Sequence, residues 1–283
     1  TSGRSARAIR SSPAARGESL NFSEKGVDEV YKKVVLLSLN VLRFWKQYAD
    51  QMSNVKSQMS NQIQMSNVKN ILDQWILARL SQLIGEVEES LDNYEIDKAC
   101  RPITEFIDDL STWYLRRSRD RFKDADKLEI VVMNLGYVLK ELSKVIAPIC
   151  PFLAEYVYQQ VTKREPEMAK EESVHLEVWH DSVYIPGQEA GIITYNTGTT
   201  LKDELLYNMQ KVRQICEIGH SLRSEAGIKV RQVLKNFQFS IFNFQSISKD
   251  QFSIFKQLIA DELNVKNIEI VEKLPEGEGW VSK

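Results

Sequence analysis

The sequence predicts a mainly α protein: an antiparallel helix bundle over residues 17–163, a linker at 164–200 and a small α+β unit at 201–283. Three observations predict it. Apolar residues recur at three- and four-residue steps through roughly the first 160 positions, the period of a helix with one buried face. A charged stretch around Pro166, from Lys163 to Glu172, then breaks the pattern as linkers do. Beyond it, helical stripes mix with short runs of strict alternation, the period of a half-buried strand.

Each element can be placed in order. Val27, Val30, Val34, Leu37, Val41, Phe44, Trp45 and Tyr48 form the first stripe, and Leu72, Ile76, Leu80, Leu83, Val87 and Leu91 the second. Between them Gln51-Met-Ser-Asn-Val-Lys returns from Gln58 as Gln-Met-Ser-Asn and from Gln64 in full. Copies this short fall below the ~20 residues of a solenoid unit, so they predict a duplicated polar loop or helix extension. Ala99, Ile103, Phe106, Leu110, Trp113 and Tyr114 make the third stripe; Pro102 within it means the helix begins near it or bends there. Leu128, Val131, Leu135, Val138, Leu142 and Val145 form a fourth stripe, stopped by Pro148, and Phe152, Tyr156 and Val161 a short fifth. Long amphipathic helices on short connections pack as an antiparallel bundle. In the last unit, Leu201–Leu222 reads as a helix through Leu205, Met209, Val212, Cys216 and Gly219. Asn236–Phe244 alternates as a strand, with Phe237, Phe239, Ile241 and Ile247 as apolar markers. Phe252–Leu263 returns to the helical period, and Asn267–Val271 is a short strand.

Composition narrows the function. Lys plus Arg, 37 in all, nearly balance 39 Asp plus Glu, leaving a net charge of −2, so a polyanion surface has to be a local patch. The cysteines, Cys100, Cys150 and Cys216, are far apart and form no C-x-x-C pair, which predicts free thiols and no metal site. That usage, with no apolar run near the ~20 residues of a membrane span, predicts a cytoplasmic protein without a membrane partner. The start, Thr1-Ser-Gly-Arg-Ser, has no initiator Met and no apolar signal core, and reads as a fragment or processed chain.

One stretch carries chemistry. Trp113–Phe122 reads W-Y-L-R-R-S-R-D-R-F, with Arg116, Arg117, Arg119 and Arg121 behind two aromatic residues. Guanidinium groups are permanent cations whose fork fits phosphate. On one helix from Ala99 to Lys123 at about 100° per residue, Arg117 and Arg121 continue the apolar stripe and suit buried carboxylates. Arg116, Arg119 and Lys123 face outward as phosphate candidates, with Asp120 and Asp124 available for pairing within the helix. Trp113 reads as core rather than a stacking platform. A weaker basic segment, Ser224–Gln232, sets Lys229 and Arg231 on one side of a possible strand. His175, His180 and His220 fit no metal or nucleophile spacing, and no Gly-rich phosphate loop occurs. No catalytic constellation is predicted.

Several segments, in order, resemble the C-terminal region of isoleucyl-tRNA synthetases. Ser11–Ser23 is similar to the family's S-P-x-x-R-G-E-D-L-R-F lead-in, and Leu72-Asp-Gln-Trp-Ile-Leu-Ala-Arg-Leu80 to its L-D-x-W-I-L-x-R-L helix. Asp109–Phe122 carries the double arginine that favours the isoleucyl over the valyl type, and Ala147–Glu155 the A-P-x-x-P-F-x-A-E junction. Leu222–Gln232 with Ala260–Lys266 completes the set, and Ser173–Trp179 resembles the S-V-H-L-x-x-W linker. The resemblance implies an anticodon-binding-like bundle at 17–163, with residues 1–16 the remnant of a join to a catalytic core. It implies docking of isoleucine-accepting tRNA by a monomer for an ATP-dependent ligase. ATP and magnesium would belong to that core, whose H-I-G-H-type and K-M-S-K-S-type motifs are missing here; no cofactor or metal is expected in this chain. The triplicated Q-M-S-N segment is not part of the resemblance. A helical protein-interaction or oligomerisation module without tRNA binding is the competing expectation.

Overall fold

A computed structural model describes residues 23–56, 70–163, 172–179, 182–184, 192–194, 200–240 and 249–271. The Ser11–Phe22 motif, the later Q-M-S-N copies, His180, Ile241 and Ile247 lie outside them. The chain is mainly α with a small α+β part, and divides into two compact units, residues 1–197 and 198–283.

In the first unit α1 (Glu24–Val30) and α2 (Leu37–Lys56) are joined by a π-helical stretch, Tyr31–Leu36. Then come α3 (Ile71–Asp92), α4 (Ile96–Asp108), α5 (Ala125–Ile146) and α6 (Pro151–Thr162). Local chemistry sets the boundaries. Ser23, Asn70 and Asp124 cap α1, α3 and α5 by accepting the backbone N–H of Gly26, Leu72 and Asp126. Pro151 opens α6, where its missing N–H costs nothing. Tyr94, at φ 58°, turns α3 into α4 in three residues, so the two helices reverse direction and pack on each other. α5 packs on α6, and α2 and α3 both pack on α5.

The core follows the predicted stripes in α3, α4 and α5: Ile76, Leu80, Leu83, Ala99, Phe106, Val131, Leu135 and Val138 are wholly buried. Trp45 is buried too, its indole N–H donating to the Val132 carbonyl at 2.9 Å. Gly136 permits that approach, since a Cβ there would lie 3.0 Å from the indole nitrogen. Of the two placements open for Pro102, a helix start is excluded, because α4 begins at Ile96 and runs through it. The fifth stripe needs correcting. The buried face of α6 is Ala154, Val157, Tyr158 and Val161, while Phe152 is 91% exposed and Tyr156 48%. Helical spacing locates a stripe; which stripe is covered depends on neighbouring helices. Val27 and Val30 are likewise exposed, and burial on the first stripe starts at Val34.

The segment after α6 is pinned to the bundle. Glu155 accepts from the Val174 N–H at 3.0 Å, the Ser173 hydroxyl at 2.9 Å and the Gln159 amide at 2.9 Å. Burial pushes Glu155 up, but these hydrogen bonds outweigh it and hold the carboxyl below its ordinary value. A depressed folded-state value means that the anchoring is present above the ordinary Glu pKa and lost as pH falls through the lower one. An acid titration followed at the Val174 amide by NMR is expected to inflect below ~4.3, the free glutamate value. Glu155→Gln should abolish that inflection.

A two-stranded antiparallel ribbon, β1 (Ser182–Tyr184) with β2 (Ile192–Thr194), completes the described part of this unit. The second unit is α7 (Thr200–Glu225), β3 (Leu234–Ser240), α8 (Lys249–Leu263) and β4 (Val265–Val271). β3 and β4 are parallel with Leu234 opposite Val265 and Phe239 opposite Ile270, so the connection through α8 is a crossover. Met209, Val212 and Cys216 of α7 are buried with Phe255, Ile259 and Leu263 of α8, and the two helices pack together.

Candidate nucleic-acid interface

The arginine-rich stretch does not continue α4 as one ideal helix. A π-helical stretch, Asp109–Leu115, follows α4; one α-helical turn, Arg116–Ser118, comes next, and Arg121–Lys123 closes as a 3₁₀ turn. Widening and then tightening the coil still leaves the cations on two sides.

The inward side is held by Asp73 of α3, which is fully buried. Arg121 grips its carboxylate bidentately, with Nη1–Oδ1 at 2.9 Å and Nη2 on Oδ2. The Tyr114 hydroxyl donates to Oδ1 at 2.7 Å and accepts from the Asn134 amide at 3.0 Å; that amide also reaches Oδ1 at 3.3 Å. Burial lowers the Arg121 pKa, but the hydrogen bond and charge of Asp73 outweigh it and hold the guanidinium above its ordinary value. Burial and the Asp73 charge push the Tyr114 phenol well above its usual range, so it remains a donor. Arg117 lies over the Trp113 ring, 5.4 Å from its centroid, and Trp113 is buried as a core residue. A second inward pair, Arg79–Asp109 at 2.9 Å, ties α3 to the π-helical stretch.

The outward side carries Arg116, Arg119 and Lys123, all exposed. Lys123 pairs with Asp120 at 2.9 Å, a hydrogen bond that raises its pKa. Asp124 pairs with Lys127 at 2.6 Å while capping α5. Contacts of this exposed kind contribute little to stability and yield readily to a phosphate.

Lys229 and Arg231 are also exposed, but they do not lie on a strand. α7 ends at Glu225, and Gly227 at φ 67° turns the chain so that the Ile228 N–H bonds the Arg223 carbonyl at 2.8 Å. The connector to β3 is then folded around buried Arg223, whose guanidinium donates to the carbonyls of Leu263 (3.0 Å), Lys229 (2.8 Å), Val230 (3.2 Å) and Gln232. Backbone acceptors gathered on one cation replace the strand ladder. No distance joins this pair of cations to the outward trio, which lies in the other unit.

Among the described residues no group of three or more His, Cys, Asp or Glu is arranged for a metal. The cysteines are free, and burial pushes the Cys100 and Cys150 thiols up, away from a reactive thiolate. Glu141 is pushed up by burial against the pull of Lys144 at 2.9 Å; Lys140 lies 3.9 Å from Glu177, which accepts from Tyr158 at 2.6 Å. This charge cluster secures Glu177 to the bundle. One open groove of about 590 Å³, lined by Val35, Leu39, Leu42, Arg43, Phe152 and Tyr156 among others, contains no carboxylate, histidine or cysteine. No described helix is long and apolar enough to cross a membrane.

Sequence reasoning missed Asp73 as the anchor, Asn134 as its support and Arg223 as the loop organiser. Asp73 and Asn134 were detectable as polar residues on otherwise apolar faces. Arg223 carried no signal, because its partners are backbone carbonyls.

Comparison with known proteins bears on this arrangement directly. The family described as the anticodon-binding domain of tRNA ligase matches residues 73–238, from α3 into β3. The chain is 38% identical to an isoleucine–tRNA ligase of Chlamydia pneumoniae over 272 residues, 93% of this chain and 23% of that protein. An isoleucine–tRNA ligase of Chlamydia abortus is 38% identical over 268 residues, again 93% and 23%. That of Chlamydia trachomatis serovar D is 35% identical over 272 residues, 95% and 24%. The chain thus spans about a quarter of the length of the curated relatives it matches. With most of its length under the family's match and its arginine stretch inside it, the chain belongs to the anticodon-binding domain family of tRNA ligases.

Proposed function

We propose that this chain docks isoleucine-accepting tRNA for an isoleucine–tRNA ligase of the cytoplasm, acting as a monomer with a catalytic domain outside this chain. ATP and magnesium belong to that domain's chemistry. The observation that carries the reading is the division of Trp113–Lys123. Arg117 and Arg121 are spent on Trp113 and Asp73, whereas Arg116, Arg119 and Lys123 face solvent on the same rigid stretch. Exposed cations on a rigid surface recognise folded RNA through its backbone, while unstacked loop bases supply sequence. Lys229 and Arg231 add phosphate contacts from the second unit.

The test is binding of the 283-residue chain to isoleucine tRNA and to a non-cognate tRNA at two salt concentrations. Tighter cognate binding with a log–log salt slope of ~−3 or steeper, as for four or more phosphate contacts, is expected. Isoleucine-dependent pyrophosphate exchange by the chain alone is expected to be absent. The apolar groove with exposed Phe152 favours a second reading, a protein-interaction module. A folded chain that ignores tRNA, or binds it without salt dependence, would support that reading instead.

A further inference from the structure

We infer that the end of the second unit where both strands begin is a contact for an RNA phosphate backbone, made by Lys229, Arg231, Lys235 and Lys266 together. The inference rests on the tRNA-docking reading and extends it to two lysines, Lys235 and Lys266, that were not among the candidate phosphate contacts.

Charge is the first argument. Residues 226–239 and 264–268 contain these four cations and no Asp or Glu, in a chain whose overall charge is −2. The second is placement. Leu234 pairs with Val265 and Asn236 with Asn267, so Lys235 and Lys266 sit side by side on the same face of the parallel ribbon. Both are exposed, as are Lys229 and Arg231 in the connector that leads into β3. Arg223 links that connector to the start of β4 by binding the Lys229, Val230 and Gln232 carbonyls together with that of Leu263. Asn264 adds a bond to the Val230 carbonyl at 3.3 Å and accepts the Leu234 N–H at 3.1 Å. Both cation-bearing segments are therefore fixed to one another through main chain, leaving the cationic side chains outside.

The third argument is availability. Among the described residues none of the four makes a side-chain hydrogen bond or ion pair. In the first unit Lys32, Lys98, Lys123 and Lys127 are each neutralised by a carboxylate three or four positions away. Four cations without a carboxylate partner among the described residues, gathered on one loop and ribbon, suit repeated phosphates. Arg223 is a positioning residue here, since its guanidinium is consumed by carbonyls.

The test compares the full chain with a Lys235→Ala/Lys266→Ala variant, using isoleucine tRNA across a salt series. Each lost phosphate contact removes ~0.7–0.9 from the slope. The variant should bind roughly tenfold more weakly at 0.1 M salt, with a slope shallower by about 1.5. Lys235→Arg/Lys266→Arg should bind as the parent does. Unchanged affinity and slope in the alanine variant, while Arg116→Ala/Arg119→Ala weakens binding, would overturn this inference and leave the docking reading standing. Absence of tRNA binding by the parent chain would remove both. Selective loss of binding to phosphatidylglycerol vesicles, with tRNA binding intact, would assign the cations to a lipid surface and also overturn the inference.

Discussion

Asp73→Ala should be the most damaging single change in the first unit, lowering its stability by about 3–5 kcal/mol. The carboxylate is fully buried and receives Arg121, Tyr114 and Asn134 at once. Removing it leaves a guanidinium with only 14% of its side-chain surface exposed, and a buried phenol that has lost its acceptor. The unfolding midpoint should fall by roughly 6–20 °C, at ~2–4 °C per kcal/mol for a unit of this size. Replacing both ends of the pair separates charge from shape. Asp73→Leu/Arg121→Leu should cost less than Asp73→Ala alone, because an apolar pair leaves no uncompensated ion. Thermal and urea unfolding of the three proteins would measure this. A midpoint for Asp73→Ala within ~2 °C of the parent would show that the network carries little of the fold.

The same network shows what the sequence displays and what it hides. The helices of the bundle were legible because each spends a full stripe of side chains on the core: Leu72, Ile76, Leu80, Leu83 and Val87 are buried as their spacing demands. The sidedness of the arginine stretch was also legible, since Arg121 and Asp73 meet where a wheel places a cation against an apolar face. Hidden from it was the π-helical stretch, which opens at Asp109, a residue held by Arg79 of another helix. The exposed Phe152 and Val27 were misread as core for a related reason, because periodicity contains no information about which neighbour arrives. Lys229 and Arg231 were misplaced on a strand because Arg223 organises that connector through backbone carbonyls, which every sequence has. Side-chain periodicity thus reports burial within one element, and it is silent where partners are main chain or come from elsewhere.

Replacing the outward trio should separate stability from recognition. Arg116→Ala/Arg119→Ala/Lys123→Ala removes three exposed cations, and the Lys123–Asp120 contact that goes with them is itself exposed. The variant should keep the parent's unfolding midpoint to within ~2 °C, because exposed ion pairs contribute little. Its affinity for isoleucine tRNA should drop about a hundredfold at 0.1 M salt, and the log–log slope should become shallower by about 2 to 2.5. Those two changes belong together, because a lost phosphate contact weakens binding by returning counterions to the RNA. A hundredfold loss with an unchanged slope would mean that the substitutions act through shape rather than charge. Undiminished affinity would move recognition off this face altogether. Asp120→Asn supplies a control of opposite sign: it frees Lys123 from its exposed partner and removes a charge that repels phosphate, so binding should strengthen modestly, by about two- to fivefold. Loss on one side and gain on the other, at constant stability, is the pattern that a phosphate-binding face imposes and a solvated helix face does not.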